Sequence, residues 1–87
     1  MKTCKYIIFT DKASLRIPNR IPILFPELLQ HSEVAKSFPD WEPVSAGFFG
    51  PEWNFGPRKA YGESISLFLK SDIEDTSIIQ MILGIEG

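Results

Sequence analysis

The chain has 87 residues, of which 44% are hydrophobic and 13% aromatic, enough for one modest core but too few for separate binding and catalytic domains. Its formal charge of -2 gives no overall attraction for nucleic acid or an anionic membrane, both of which favour clustered Lys and Arg. Cys4 is the only cysteine, which excludes an intramolecular disulfide and makes a reducing, cytoplasmic compartment the expectation.

Charge is unevenly placed along this length. Up to Lys36 there are six basic residues (Lys2, Lys5, Lys12, Arg16, Arg20, Lys36) against three acidic ones (Asp11, Glu27, Glu33); from Ser37 onward there are three basic and eight acidic. Such a split brings opposite faces together within a fold or between subunits, or is plain surface composition.

The first predicted element is a strand over Cys4 to Thr10. Ile7 and Phe9 alternate with Tyr6 and Ile8, so both faces are apolar, as in a central strand covered on both sides. The run Tyr6-Ile7-Ile8-Phe9 is far too short for a signal-peptide core or a membrane span. A polar, basic connection follows, ending in a turn at Pro18-Asn19. Ile21 to Phe25 is a second strand, which should lie at a sheet edge or begin at the proline because Pro22 cannot donate to a ladder. Between Pro26 and Phe38 lies the first helix. Pro26 could occupy its first position, but a shorter helix over Glu33 to Phe38, capped by Ser32 with Val34 and Phe38 on one face, is preferred. Pro39 stops it.

Val44 to Phe49 is a third strand, in which Val44, Ala46 and Phe48 alternate with Ser45, Gly47 and Phe49, and Gly47 invites a bulge or a close backbone approach. Gly50 to Arg58 reads as a wide turn around Trp53-Asn54-Phe55. The fourth strand runs from Tyr61 to Leu69, with Tyr61, Ile65, Leu67 and Leu69 on one face. Ser71-Asp72-Ile73-Glu74 matches a capping box, with Asp72, Glu74 and Asp75 near the positive end of the helix dipole. Ile78, Ile79, Ile82 and Leu83 then form an apolar stripe, and Gly84 stops the helix. The reading is α+β in the order ββαββα: one domain over residues 1–87, with a mostly antiparallel sheet of about four strands carrying both helices on one face.

The segments Phe25-Pro26-Glu27-Leu28-Leu29-Gln30-His31-Ser32-Glu33-Val34-Ala35, Val44-Ser45-Ala46-Gly47-Phe48 and Tyr61-Gly62-Glu63-Ser64-Ile65-Ser66-Leu67 resemble small uncharacterised proteins of bacteria and their phages. The resemblance spans most of the chain after residue 22. It implies an accessory cytoplasmic protein and brings with it no activity and no site residues.

Few residues offer chemistry. A nucleophile needs a base within reach; His31 is the only histidine, so Cys4 could react only if the fold set them side by side. A buried strand cysteine and a solvent or capping histidine are the simpler expectation. One Cys and one His give none of the paired spacings of a zinc site, the Asp72, Glu74, Asp75 cluster lacks a calcium loop, and no glycine-rich phosphate loop precedes a helix. No metal and no cofactor are therefore expected.

Glu63 falls on the apolar side of the fourth strand and is the one candidate acid or base; the alternative is a rim residue meeting Arg58, Lys59 or a backbone group. Trp53, Phe55, Arg58 and Lys59 combine aromatic faces with positive charge and form the candidate partner-binding surface, unless the aromatics tuck over the sheet end. The leading expectation is a non-catalytic module acting through a protein partner or as a homodimer, with no membrane role. The first alternative is nucleic-acid binding through Lys12, Arg16, Arg20, Arg58 and Lys59. The second is a small enzyme with Glu63 in a pocket beside His31 or Tyr61.

Overall fold

A computed structural model describes residues 3–11, 20–51 and 58–83. The elements are β1 (Cys4–Asp11), β2 (Arg20–Phe25), α1 (His31–Lys36), β3 (Trp41–Pro51), β4 (Arg58–Tyr61), β5 (Glu63–Ser64), β6 (Leu69–Lys70) and α2 (Asp75–Leu83). Strands β2-β1-β3-β4 form an antiparallel sheet in that order, and β5 pairs with β6 as a separate hairpin. The α+β reading and the four antiparallel strands hold. The ββαββα order does not, because the expected fourth strand is divided.

Strand β1 lies between β2 and β3, and Tyr6, Ile7, Ile8 and Phe9 are all fully buried. Its alternation separates two cores. Tyr6 and Ile8 join Phe49 and Ile79 on one side; Ile7 and Phe9 join Phe25 and Ala46 on the other. Helix α2 covers the first core through Ile78 and Ile79, whereas Val34 and Ala35 of α1 and Leu67 and Leu69 of the hairpin cover the second. The helices therefore lie on opposite faces of the sheet, not on one. The reason is β1 itself: a strand apolar on both faces exposes one core unless each face has its own cover.

In β3 the pairing shifts between Ile8↔Ser45 and Phe9↔Pro43, leaving Val44 as the extra, exposed residue of a bulge. An inserted residue reverses the alternation beyond it, and so turns Trp41 onto the face of Phe9. Phe9, Phe38 and Trp41 then pack with ring centroids 5.1 to 5.8 Å apart. The strand expected from the sequence starts only at Val44, with Trp41 in the connection before it. The bulge falls at Val44 and not at Gly47, which pairs regularly with Tyr6; of the two alternatives expected for Gly47 the close backbone approach is the one found, since a side chain there would collide with the Tyr61 carbonyl.

Each sheet edge carries a feature that limits further pairing. Pro22 stands in edge strand β2 opposite Ile8, where its missing donor blunts further pairing. Along β4, the Ala60 N–H donates to Thr76 Oγ1 at 2.9 Å and Gln80 Nε2 donates to the Arg58 carbonyl at 3.4 Å. Four residues of helix rise about 6 Å and two of strand about 6.6 Å, so positions 76 and 80 meet 60 and 58 in step.

The sequence from Tyr61 to Leu69 does not run as one strand. Gly62 takes a φ of +78°, the left-handed region open to glycine, and its carbonyl accepts from the Ser71 N–H at 3.0 Å to close the base of the hairpin. The tip is a turn in which the Phe68 N–H donates to the Ile65 carbonyl at 3.3 Å. Leu67 and Leu69 face the core, but Ile65 is exposed, so it does not share their face.

Helix α1 begins at His31, two residues before the expected start, with Gln30 at its N-cap and no side-chain bond from Gln30. Ser32 is within the helix and does not cap it. Its own N–H donates at 3.2 Å to Ser66 Oγ of the hairpin tip, so a residue distant in sequence satisfies this end of the helix. The Pro18-Asn19 turn, Gly84 and the Gly50–Arg58 turn from 52 to 57 lie outside the described residues.

Candidate functional site

Asp75, in the first turn of α2, is fully buried. Its Oδ2 accepts from the Tyr6 hydroxyl at 2.6 Å and from the Asp72 N–H at 2.8 Å, while Oδ1 accepts from Ser45 Oγ at 2.9 Å. Burial pushes the Tyr6 phenol well above its ordinary range, and the Asp75 carboxylate adds to that shift by disfavouring a second negative charge. A closed cluster of this kind fixes α2 on the sheet. No spacing in the sequence groups Tyr6, Ser45 and Asp75, although a hydroxyl inside the apolar run of β1 signals that a partner must exist.

Asp72 also donates and accepts in a capping arrangement: its Oδ1 takes the Glu74 N–H at 3.1 Å while its own N–H meets Asp75. The expected Ser71/Glu74 capping box is not what forms: Asp72 takes the capping role one residue along, with Asp75 reaching back to the Asp72 N–H while the Asp72 side chain accepts from Glu74.

On the opposite face, Lys5, Gln30, His31, Phe48 and residues 62–66 line a cleft of about 480 Å³. It brings Glu63 and His31 to one depression. His31 is only 4% exposed and is neither a solvent nor a capping residue. Its Nε2 lies 2.9 Å from the Gly47 carbonyl, and Phe25 and Phe48 meet its ring edge-on. Burial holds its pKa below the usual value, against the backbone groups of Gly47 and Tyr6. Bonded in this way, the ring is committed to the core. Glu63 is exposed and stands opposite Lys70 in the hairpin, not on an apolar face, because the chain turns at Gly62. Its cross-strand neighbour is Lys70, not Arg58 or Lys59.

Cys4 and His31 are not neighbours. Cys4 packs on the α2 face, where its Sγ lies 3.6 Å from the Phe49 carbonyl, and burial raises its pKa against the lowering effect of Arg58. His31 packs on the α1 face against Phe25. Of the candidate partner-binding residues, Arg58 and Lys59 belong to β4, while Trp53 and Phe55 lie outside the described residues. Lys12 and Arg16 lie outside them as well. Arg20 is on β2, at the far edge of the sheet from Arg58 and Lys59, and pairs with Glu74 at 3.7 Å.

Comparison of the chain with family models, with curated proteins and with solved structures gave no match in any of the three. Among the described residues no group of three His, Cys, Asp or Glu is placed to hold a metal ion, and no helix is long and apolar enough to cross a membrane.

The surface that stands out is the outer side of α2. Ile79 and Asp75 point inward, yet Ile73 is 95%, Met81 81% and Ile82 63% exposed. With Arg20, Glu74, Ser77 and Ile78 they line a groove of about 450 Å³. The expected stripe included Ile82, but Ile82 is exposed, whereas Ile79 is fully buried and Ile78 partly so. Ile73 and Met81 lie outside the expected stripe. Apolar residues outside the stripe of an amphipathic helix were the legible sign.

Proposed function

We propose that the chain is a non-catalytic accessory module of the cytoplasm that acts through protein contacts, with a second copy of itself as the partner. The observation that carries this reading is the apolar surface at α2, where Ile73 just before the helix and Met81 and Ile82 within it are exposed. Large exposed apolar patches on soluble domains mark interaction surfaces, and small domains gain stability by association. The edges of the sheet supply no such drive, since Pro22 blunts one and α2 covers the other. The half-buried, unpaired Cys4 suits a reducing compartment. Sedimentation velocity from micromolar to near-millimolar concentration tests the reading. The expected result is a sedimentation coefficient that rises with concentration and stays flat in Met81→Glu. A single monomeric species throughout rejects it.

A further inference from the structure

A second apolar surface stands on the other face of the sheet. At the tip of the β5–β6 hairpin Ile65 is 80% and Phe68 92% exposed, and Phe68 has a φ of +57°. A bulky side chain in the left-handed region is strained, and such strain is characteristic of binding and switch sites. Among the described residues the phenyl ring has no place in either core cluster. The turn around it is held firmly by other groups: Ser64 Oγ accepts from the Leu67 N–H at 3.3 Å, and Ser66 Oγ is tied to α1. The ring is therefore presented on a rigid support, which lowers the entropic cost of docking.

We infer that the Ile65–Phe68 tip of one copy docks into the α2 groove of the next, so that self-association runs head to tail. This rests on the self-association proposed above and names its geometry. Two features favour a second copy as the occupant. The groove is apolar along Ile73, Ile78, Met81 and Ile82 and carries one cation and one anion at its rim, Arg20 and Glu74. The hairpin carries Glu63 directly opposite Lys70 behind its apolar tip. Each surface thus has one charge of each sign; Arg20 and Glu74 pair with each other in the free chain, and docking with Glu63 facing Arg20 and Lys70 facing Glu74 exchanges these partners without stranding a charge. The tip belongs to the α1 face and the groove to the α2 face. Unlike surfaces on opposite sides cannot pair reciprocally about one two-fold axis, and a contact of this kind propagates into rings or chains.

The test uses the full chain and two variants that the fold tolerates. Phe68→Gly removes the anchor where glycine is at ease, and Met81→Glu places a charge in the groove at an exposed position; thermal melting confirms that both are folded. In sedimentation velocity the wild type is expected to pass beyond dimers as concentration rises, while each variant alone remains monomeric. An equimolar mixture is expected to form dimers and stop there, since it offers one intact tip and one intact groove per pair. Wild-type association unaffected by Phe68→Gly, or a wild type that stops at dimers, overturns the head-to-tail docking while leaving self-association in place. A mixture that stays monomeric also overturns it. A wild type that is monomeric throughout removes both readings together.

Discussion

The Tyr6 hydroxyl donates to the Asp75 carboxylate at 2.6 Å across a separation of 69 residues, and neither residue has any solvent exposure. It ties the central strand to the last helix. Tyr6→Phe is expected to cost about 1.5–3 kcal/mol, the range for hydrogen bonds to charged groups, read as a drop in the urea midpoint. The same pair gives an alkaline limb. Because the phenol is held above its ordinary 10.0 in the fold, the unfolded chain loses this proton first, so stability is full below about pH 10 and declines above it. In Tyr6→Phe that contribution disappears. A variant with wild-type stability and an unchanged alkaline limb would show that this bond does not hold α2 in place.

The start of α2 separates two neighbouring residues. Asp72→Ala removes the side-chain acceptor of the Glu74 N–H and is expected to cost about 1 kcal/mol, as N-caps do. Ser71→Ala should cost less, since the backbone bond from Ser71 to Gly62 survives the change. Equal losses in chemical denaturation, or a greater loss for Ser71→Ala, would return the cap to Ser71.

His31 predicts an acid limb of opposite sign. Burial lowers its pKa from the usual 6.5, so the unfolded chain takes up the proton first. Stability present above about pH 6.5 is then lost as the pH falls through the lowered value. Denaturation midpoints measured between about pH 7 and pH 5 should decline more steeply in the wild type than in His31→Gln, which has no titrating ring. Parallel declines would assign the acid limb to the carboxylates.

At Phe68 strain and exposure point the same way for stability. Replacing it with Gly relieves a left-handed conformation worth about 1–2 kcal/mol, offset by about 0.5–1 kcal/mol of added freedom in the unfolded chain. The expected outcome is a melting temperature equal to or above that of the wild type. A clear fall would mean that the ring contributes to the fold and is not held for an outside contact.

The sequence by itself determined the central placement of β1, and it narrowed β2 to an edge or a start at Pro22 and Gly47 to a bulge or a close approach. Each follows from a local rule: two-sided apolar alternation, a proline without a donor, and a residue without a side chain. Only the tertiary structure decided which face each helix covers, because the two apolar faces of β1 are equivalent until something packs on them. It also divided the expected strand over Tyr61–Leu69, since Gly62 and Phe68 turn the chain into a hairpin whose Ser66 then meets α1. The candidate site divided in the same way. Glu63 was visible as an anomaly, but a period of two cannot distinguish an inward carboxylate from one beyond a turn. The Asp75 cluster depends on Tyr6, Ser45 and Asp72 converging from three parts of the chain, and no local pattern encodes that convergence.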